Sequence, residues 1–326
     1  MEEKISVVIP CYRSEKIIAS VVEELISYLS GYSHEIILVC DCSPDNEWEE
    51  IKKLQKAHPA VHGILFSKNF GQHSATLAGY RRATGDIIIT MDDDGQSDPS
   101  AIPRMIDKLH EGYDVVYARY SEFEKSAFRV FGSWVNRKMA EILAGMPKGI
   151  QANSFYAMRR FVLNEVVRYT NSFPYIGGLV FRTTSNIAEV DVEHRGRKEG
   201  RSNYTIGKLI KLWINGFTAF SVLPLRMASM LGFFFALVGF VLGVVTIVRK
   251  LLNPEIILGY SSTMVTIFFL GGIVLIALGL IGEYVGRIYI GQCQAPQYVI
   301  KETTDKDLLK RSSEVYMNET TDDKGN

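Results

Sequence analysis

The sequence has little of what would place it quickly. It holds four cysteines, Cys11, Cys40, Cys42 and Cys293. Cys40 and Cys42 are one residue apart, too close for a zinc CxxC hook, and no second pair follows. This argues against a disulfide-stapled or zinc-ribbon domain and leaves reduced thiols of a cytosolic domain as the expectation. Net charge is zero, 36 basic against 36 acidic residues, so there is no global field of the kind that draws proteins to nucleic acid. No cleavable signal peptide is expected, because MEEKISVVIP opens acidic and runs directly into an apolar stretch. There is no internal repeat.

What is present is unevenly spread. Residues 1–205 read as a soluble domain, 206–226 as an amphipathic juxtamembrane segment, 227–290 as two transmembrane helices, and 291–326 as a polar cytoplasmic tail. Ala228 to Val248 carries no charge and matches the length needed to cross ~30 Å of hydrocarbon. A second uncharged run extends from Ile256 to Gly282, of which 263–282 alone would suffice. Ahead of them, Lys208 and Lys211 flank Leu209, Leu212 and Trp213, a composition suited to a helix in the lipid interface. Two spans put both termini on one side, and Lys208, Lys211, Arg226 and Arg287 favour the cytoplasm, with Arg249 and Lys250 opposing modestly. Gly239-x-x-x-Gly243 could pack helices, so a homo-oligomer is open, but glycine is common in membrane spans.

The soluble part alternates short Val/Ile runs with helical periodicity, which predicts a mostly parallel, Rossmann-like α/β sheet buried on both faces. Strands are expected at 6–9, 35–40, 61–66, 86–91 and 114–117. Helices are expected at 14–30 (with Ser14 available as cap), 46–57 and 73–82. Ligands of such sheets sit beyond the carboxyl ends of the strands, which makes Pro10 to Glu15, Asp41 and the Asp92 cluster neighbours.

Met91-Asp92-Asp93-Asp94-Gly95-Gln96 ends an apolar strand. Three adjacent carboxylates there repel one another and call for a cation. A divalent metal bridging a diphosphate is the natural candidate; a plain acidic turn is the alternative. In an extended chain Asp92 and Asp94 point to one side and Asp93 elsewhere; Asp93 is counted with the nucleotide-sugar side of the site. Tyr12 can stack on a base, and Glu15 and Asp41 can accept from a uracil or ribose donor. Gly71 makes a tight turn into a helix N-terminus, suited to an anion or a close backbone approach.

The segments VVIPCYRSE, VCDCSPDN, NFGQHSATLAGYRRATGD and MDDDGQSDP together resemble the family 2 glycosyltransferases with the GT-A fold. More narrowly they resemble the polyprenyl-phosphate glycosyltransferases related to dolichyl-phosphate mannose synthase and the bacterial undecaprenyl-phosphate sugar transferases. The likeness runs from about residue 4 to 300 and includes the closing GLIGEYVGRIYI. It implies transfer of a sugar from a nucleotide diphosphate, with uridine the expected base, onto a polyprenyl phosphate at the membrane, with inversion. It implies Mg2+ or Mn2+ held by Asp92, Asp94 and Gln96, and nucleoside contacts at Pro10, Tyr12, Glu15 and Asp41. Acceptor-phosphate contacts fall on Arg119, Arg129, Ser133, Arg197, Ser202 and Tyr204, with His194 just ahead of Arg197. Three departures stand out. The family's D-D-G-S is Cys40-Asp41-Cys42-Ser43, the Asn after Tyr12 is Arg13, and the later D-F-R is Ser154-Phe155-Tyr156, which leaves the donor sugar open. A processive synthase would need a Q-x-x-R-W motif, which is absent. A transferase acting on a sugar already linked to lipid diphosphate, and a non-catalytic lipid-phosphate-binding partner, remain as alternatives.

Overall fold

The computed structural model describes residues 3–120, 146–147, 149–171, 174–192, 223–252, 260–292 and 296–305. They divide into two compact units. The first comprises residues 1–203 together with 296–326, and the second 204–295.

The first unit is built on one eight-stranded sheet: β1 (Lys4–Cys11), β2 (Ser33–Cys40), β3 (Val61–Phe66), β4 (Ile87–Thr90), β5 (Val115–Tyr120), β6 (Tyr156–Arg159), β7 (Ile187–Val192) and β8 (Ile300–Thr303). Its spatial order is β7-β5-β6-β4-β1-β2-β3-β8. The pairs β1–β2, β1–β4, β2–β3 and β5–β7 are parallel, whereas β6 runs antiparallel between β4 and β5, and β8 antiparallel along β3. The five predicted strands are therefore present, four of them within two residues at each end and β5 running three residues past its expected end, and the sheet is mixed rather than wholly parallel.

The pleat sorts side chains between two cores. From β1 and β2, Ile5, Val7, Ile9, Ile36 and Leu38 face α1 (Ile18–Leu29), α2 (Glu47–Ala57) and α4 (Ile102–His110). Val8, Ile37 and Val39 face α3 (Gln72–Arg82), α5 (Arg160–Val167) and α6 (Ile176–Thr183). Burial on both faces is why these strands read as near-continuous apolar runs. Helix α3 lies so close to β1 that a Cβ at Gly79 would stand 2.3 Å from Val8 Cγ1. Ser14 does not cap α1 with its side chain; its hydroxyl donates to Glu47 Oε1 at 2.6 Å instead, and α1 begins at Ile18.

The segment expected as polar tail re-enters the first unit. Tyr298 stacks on Phe66 with centroids 5.1 Å apart, Gln297 is buried and accepts from Arg81 at 2.6 Å, and Asp305 pairs with Arg82. The sequence did not announce this because β8 is only four residues long and half of it is charged.

The second unit contains α7 (Leu223–Leu252, 30 residues) and α8 (Tyr260–Gln292, 33 residues). Residues 223–226, assigned from sequence to the juxtamembrane segment, belong to α7, and the remainder of that segment lies outside the described residues. Searched over the described residues, no helix is long and apolar enough to cross a membrane. As backbone elements, at 1.5 Å per residue, the two helices measure about 45 and 50 Å.

Candidate active site

The chain runs β1, β2, β3 outward in one direction and returns with β4 on the other side of β1. This reversal opens a crevice at the carboxyl ends of β1 and β4, the usual ligand position in such sheets. Pro10 and Cys11 end β1, Asp41 follows β2, and Asp92 follows β4. Pro10, Tyr12, Asp41 and the three aspartates are thus gathered as expected.

The three carboxylates are held differently. Asp92 Oδ1 accepts from Gln72 Nε2 at 2.7 Å, and Oδ2 accepts from the Ser154 hydroxyl. Asp94 Oδ1 accepts from the Gln96 backbone N–H at 3.0 Å, tightening the turn that Gly95 closes at φ 71°. Asp93 turns back and accepts the Tyr12 N–H at 2.8 Å, so its carboxylate ties the β1 and β4 ends together. Burial, against the Tyr12 and Ser14 hydrogen bonds, pushes Asp93 up to about 7. Beyond these, burial raises the Tyr120 phenol at the end of β5; a Ser97 hydrogen bond opposes that, and Asp92, Asp94 and Asp98 reinforce it.

Asp41 is buried, and its two oxygens accept the N–H groups of Phe70 (2.7 Å) and Gly71 (2.8 Å). Burial raises its carboxyl, with those two N–H groups opposing. It therefore shapes the turn into α3, where Gly71 takes φ 91°, a backbone state favouring glycine. Among the described residues, Arg13 (φ 62°) and Cys42 (φ 52°) are the positive-φ residues other than glycine, and Arg13 N–H donates to Ser43 Oγ at 2.8 Å. Strain of this kind concentrates at functional sites. Tyr12 is 44% exposed with the Arg13 guanidinium 5.4 Å above its ring. Glu15 accepts the Asn46 N–H at 3.2 Å across the same two loops. Beneath them, Glu47 is fully buried, takes both the N–H and hydroxyl of Ser14, and leaves Oε2 without a hydrogen bond. Burial raises the Cys11 and Cys40 thiols, consistent with inert core cysteines; Cys11, Cys40 and Cys42 are free.

Of the residues expected to hold the acceptor phosphate, Arg119 forms a two-toothed pair with Asp191 (Nε–Oδ1 2.6 Å, Nη2–Oδ2 2.9 Å). Arg129, Ser133, His194, Arg197, Ser202 and Tyr204 lie outside the described residues. Gln72 and Ser154 were not singled out as site residues from sequence, although Gln72 sits in the NFGQH segment and Ser154 in a departure from the family pattern. A pocket of about 220 Å³ lies at the opposite end of the sheet, lined by Glu3, Asp86, Ile87, Leu109, His110, Arg159, Arg160 and Phe161. Its two arginines bind the backbone carbonyls of Leu109, Tyr113, Ala83 and Gly85, so it is a structural seam.

Among the described residues no group of three or more His, Cys, Asp or Glu side chains could hold a metal by itself. Two carboxylates plus substrate phosphates are, however, the usual way Mg2+ is bound. The oxygen donors Asp92 and Asp94, two residues apart on one turn, fit a cation that arrives with a diphosphate.

Comparison with known proteins agrees with this geometry. Residues 6–167 match the glycosyl transferase family 2 profile, and residues 223–288 match a GtrB C-terminal hairpin. The undecaprenyl-phosphate 4-deoxy-4-formamido-L-arabinose transferase of Proteus mirabilis is 34% identical over 306 residues, 92% of this chain and 93% of the relative. Its Yersinia enterocolitica counterpart is 33% identical over 319 residues, 96% and 97% of the two chains. Among solved structures, glucosyl-3-phosphoglycerate synthase from Mycobacterium tuberculosis, in complex with Mn2+, UDP-glucose and phosphoglyceric acid, shares the fold. It has a TM-score of 0.51 and 21% identity, covering 66% of this chain and 78% of that one. With a GT-A-like sheet, the aspartates at its switch point and relatives matched over nine-tenths of its length, the chain belongs to the family 2 glycosyltransferases.

Proposed function

We propose that the protein transfers a sugar from a UDP-sugar onto undecaprenyl phosphate at the cytoplasmic membrane face, inverting the anomeric centre. The observation that carries this is the gathering of Asp92, Asp94, Tyr12 and Asp41 at one crevice in a chain similar, almost end to end, to undecaprenyl-phosphate sugar transferases. The solved neighbour holds Mn2+ and UDP-glucose in the same fold.

Asp92, Asp94 and Gln96 would hold Mg2+ or Mn2+ with the donor diphosphate, and the cation would neutralise the leaving nucleotide. Tyr12 would stack on the base, and Pro10, Glu15, Asp41, Gly71 and Asp93 would shape the pocket around it. A phosphate monoester is largely deprotonated near pH 7, so the acceptor oxygen needs no strong protein base. Catalysis then rests on positioning and charge neutralisation. Arg129, Ser133, His194, Arg197, Ser202 and Tyr204 would hold the acceptor phosphate; Arg119 could join them through the guanidinium N–H groups that its pair with Asp191 does not use.

Membrane anchoring is part of the same reading. Helix α7 contains the uncharged run Ala228–Val248, α8 contains 263–282, and Phe233, Phe234, Leu237 and Phe240 are exposed. Large apolar side chains exposed in such number call for lipid or a partner. The connectivity adds a topological constraint. The chain leaves the sheet after β7 and returns to it as β8. If the intervening helices enter a membrane, they must do so as a hairpin with both ends on the catalytic side.

The test is transfer of labelled sugar to undecaprenyl phosphate against transfer to a sugar already linked to lipid diphosphate. Product formed only from the second acceptor would replace this reading with that alternative. The relatives' 4-deoxy-4-formamido-L-arabinose is the first donor sugar to try.

A further inference from the structure

Three elements meet twice beneath the crevice. In a lower tier, the buried Tyr80 hydroxyl of α3 lies 2.6 Å from Thr90 Oγ1 of β4 and 2.6 Å from the Tyr156 hydroxyl of β6. In an upper tier, Gln72 of α3 and Ser154, two residues ahead of Tyr156, donate to opposite oxygens of Asp92, two residues beyond Thr90. The antiparallel register explains the repetition. Thr90 pairs with Tyr156, so extending the ladder by two residues brings Asp92 opposite Ser154. Side chains two apart on a strand share a face, which stacks one tier on the other.

We infer that Gln72 and Ser154 are positioning residues that fix the Asp92 carboxylate for the cation and diphosphate, over a floor set by Tyr80, Thr90 and Tyr156. The two donors reach the carboxylate from opposite sides, one to each oxygen, and so fix its orientation. Carboxylate ligands are generally oriented by such outer hydrogen bonds. Ser154 thus does more than fill a place where the family pattern has an acid. The lower tier accounts for its position, because Tyr156 is anchored on both sides and carries Ser154 with it.

The inference rests on the proposed function, and the test separates the two. Full-length protein is titrated calorimetrically with UDP in the presence of Mn2+ and in the presence of chelator, and its unfolding midpoint is recorded. Ser154→Ala and Gln72→Ala should each weaken Mn2+-dependent UDP binding about tenfold or more. Chelator-resistant UDP binding and the unfolding midpoint should not change, and Ser154→Thr, which keeps the hydroxyl, should restore most of the affinity. Gln72 is exposed in the first turn of α3, so its variant remains informative even if Ser154→Ala folds poorly. Unchanged Mn2+-dependent binding in Gln72→Ala and Ser154→Ala, or equal losses with and without Mn2+, would overturn the positioning role. Wild-type protein that binds UDP equally in Mn2+ and in chelator would overturn the functional reading itself, and with it the role given to Asp92.

Discussion

Glu35 shows how a single buried charge is made stable in this fold. Burial alone would raise its carboxyl, but the Ser6 hydroxyl (2.7 Å), the Thr84 N–H (2.6 Å) and Lys4 outweigh it and bring the carboxyl from 4.5 to about 2. Because the folded value lies below the ordinary one, the stabilisation is complete above about pH 4.5 and is lost as pH falls toward 2. A shift of that size corresponds to roughly 3 kcal/mol. Glu35→Gln should therefore lower stability at pH 7 and flatten the acid limb of a urea-unfolding series; an unchanged acid limb would show that other carboxylates dominate it. On the acceptor side, charge-assisted contacts are worth roughly 1.5–3 kcal/mol. Arg129→Ala and Arg197→Ala should each raise the KM for lipid phosphate more than that for the nucleotide sugar. Loss of donor affinity with acceptor kinetics unchanged would remove that arginine from the acceptor site.

Elements differ in how plainly the sequence displayed them. Strands β1 to β5 were legible because burial on both faces forces Val/Ile runs, and the Asp92 cluster because three carboxylates close such a run. Strand β6 was hidden by its shortness, and β7 because it alternates apolar residues with Glu189 and Asp191, which meet Arg119 on β5, instead of forming an apolar run like β1 to β5. The roles of Asp41 and Asp93 were only half legible. Their position was clear from strand ends, but their use in tying loops together depends on backbone N–H groups that no pattern displays. Strand β8 matters most for experiment. A chain ending before Pro296 would expose the β3 edge and lose the Phe66–Tyr298 stack and the Arg82–Asp305 pair. It should unfold at lower urea and aggregate more readily, since open edges recruit other strands. An unchanged midpoint would mean that β8 adds nothing to the sheet.

At the scale of the whole molecule, the catalytic sheet is made from chain on both sides of the helical pair. Truncation before Met227 therefore confounds loss of the proposed anchoring with loss of β8. Replacing residues 223–292 with a flexible linker while retaining 296–305 separates them. That variant should bind UDP-sugar as the wild type does and transfer poorly to undecaprenyl phosphate in bilayers. It should do better with a short, water-soluble prenyl phosphate, because anchoring confines the search to the membrane plane. Unimpaired long-chain transfer would reduce the helices to retention anchors. Metal-dependent transfer to lipid phosphate is tested with purified full-length protein, vesicles containing undecaprenyl phosphate, and a panel of labelled UDP-sugars, each run with Mg2+ or Mn2+ and with excess chelator. Label is expected in the lipid as a glycosyl monophosphate for at least one donor, with none in chelator. Full transfer in chelator, or no labelled lipid from any donor, would rule this function out.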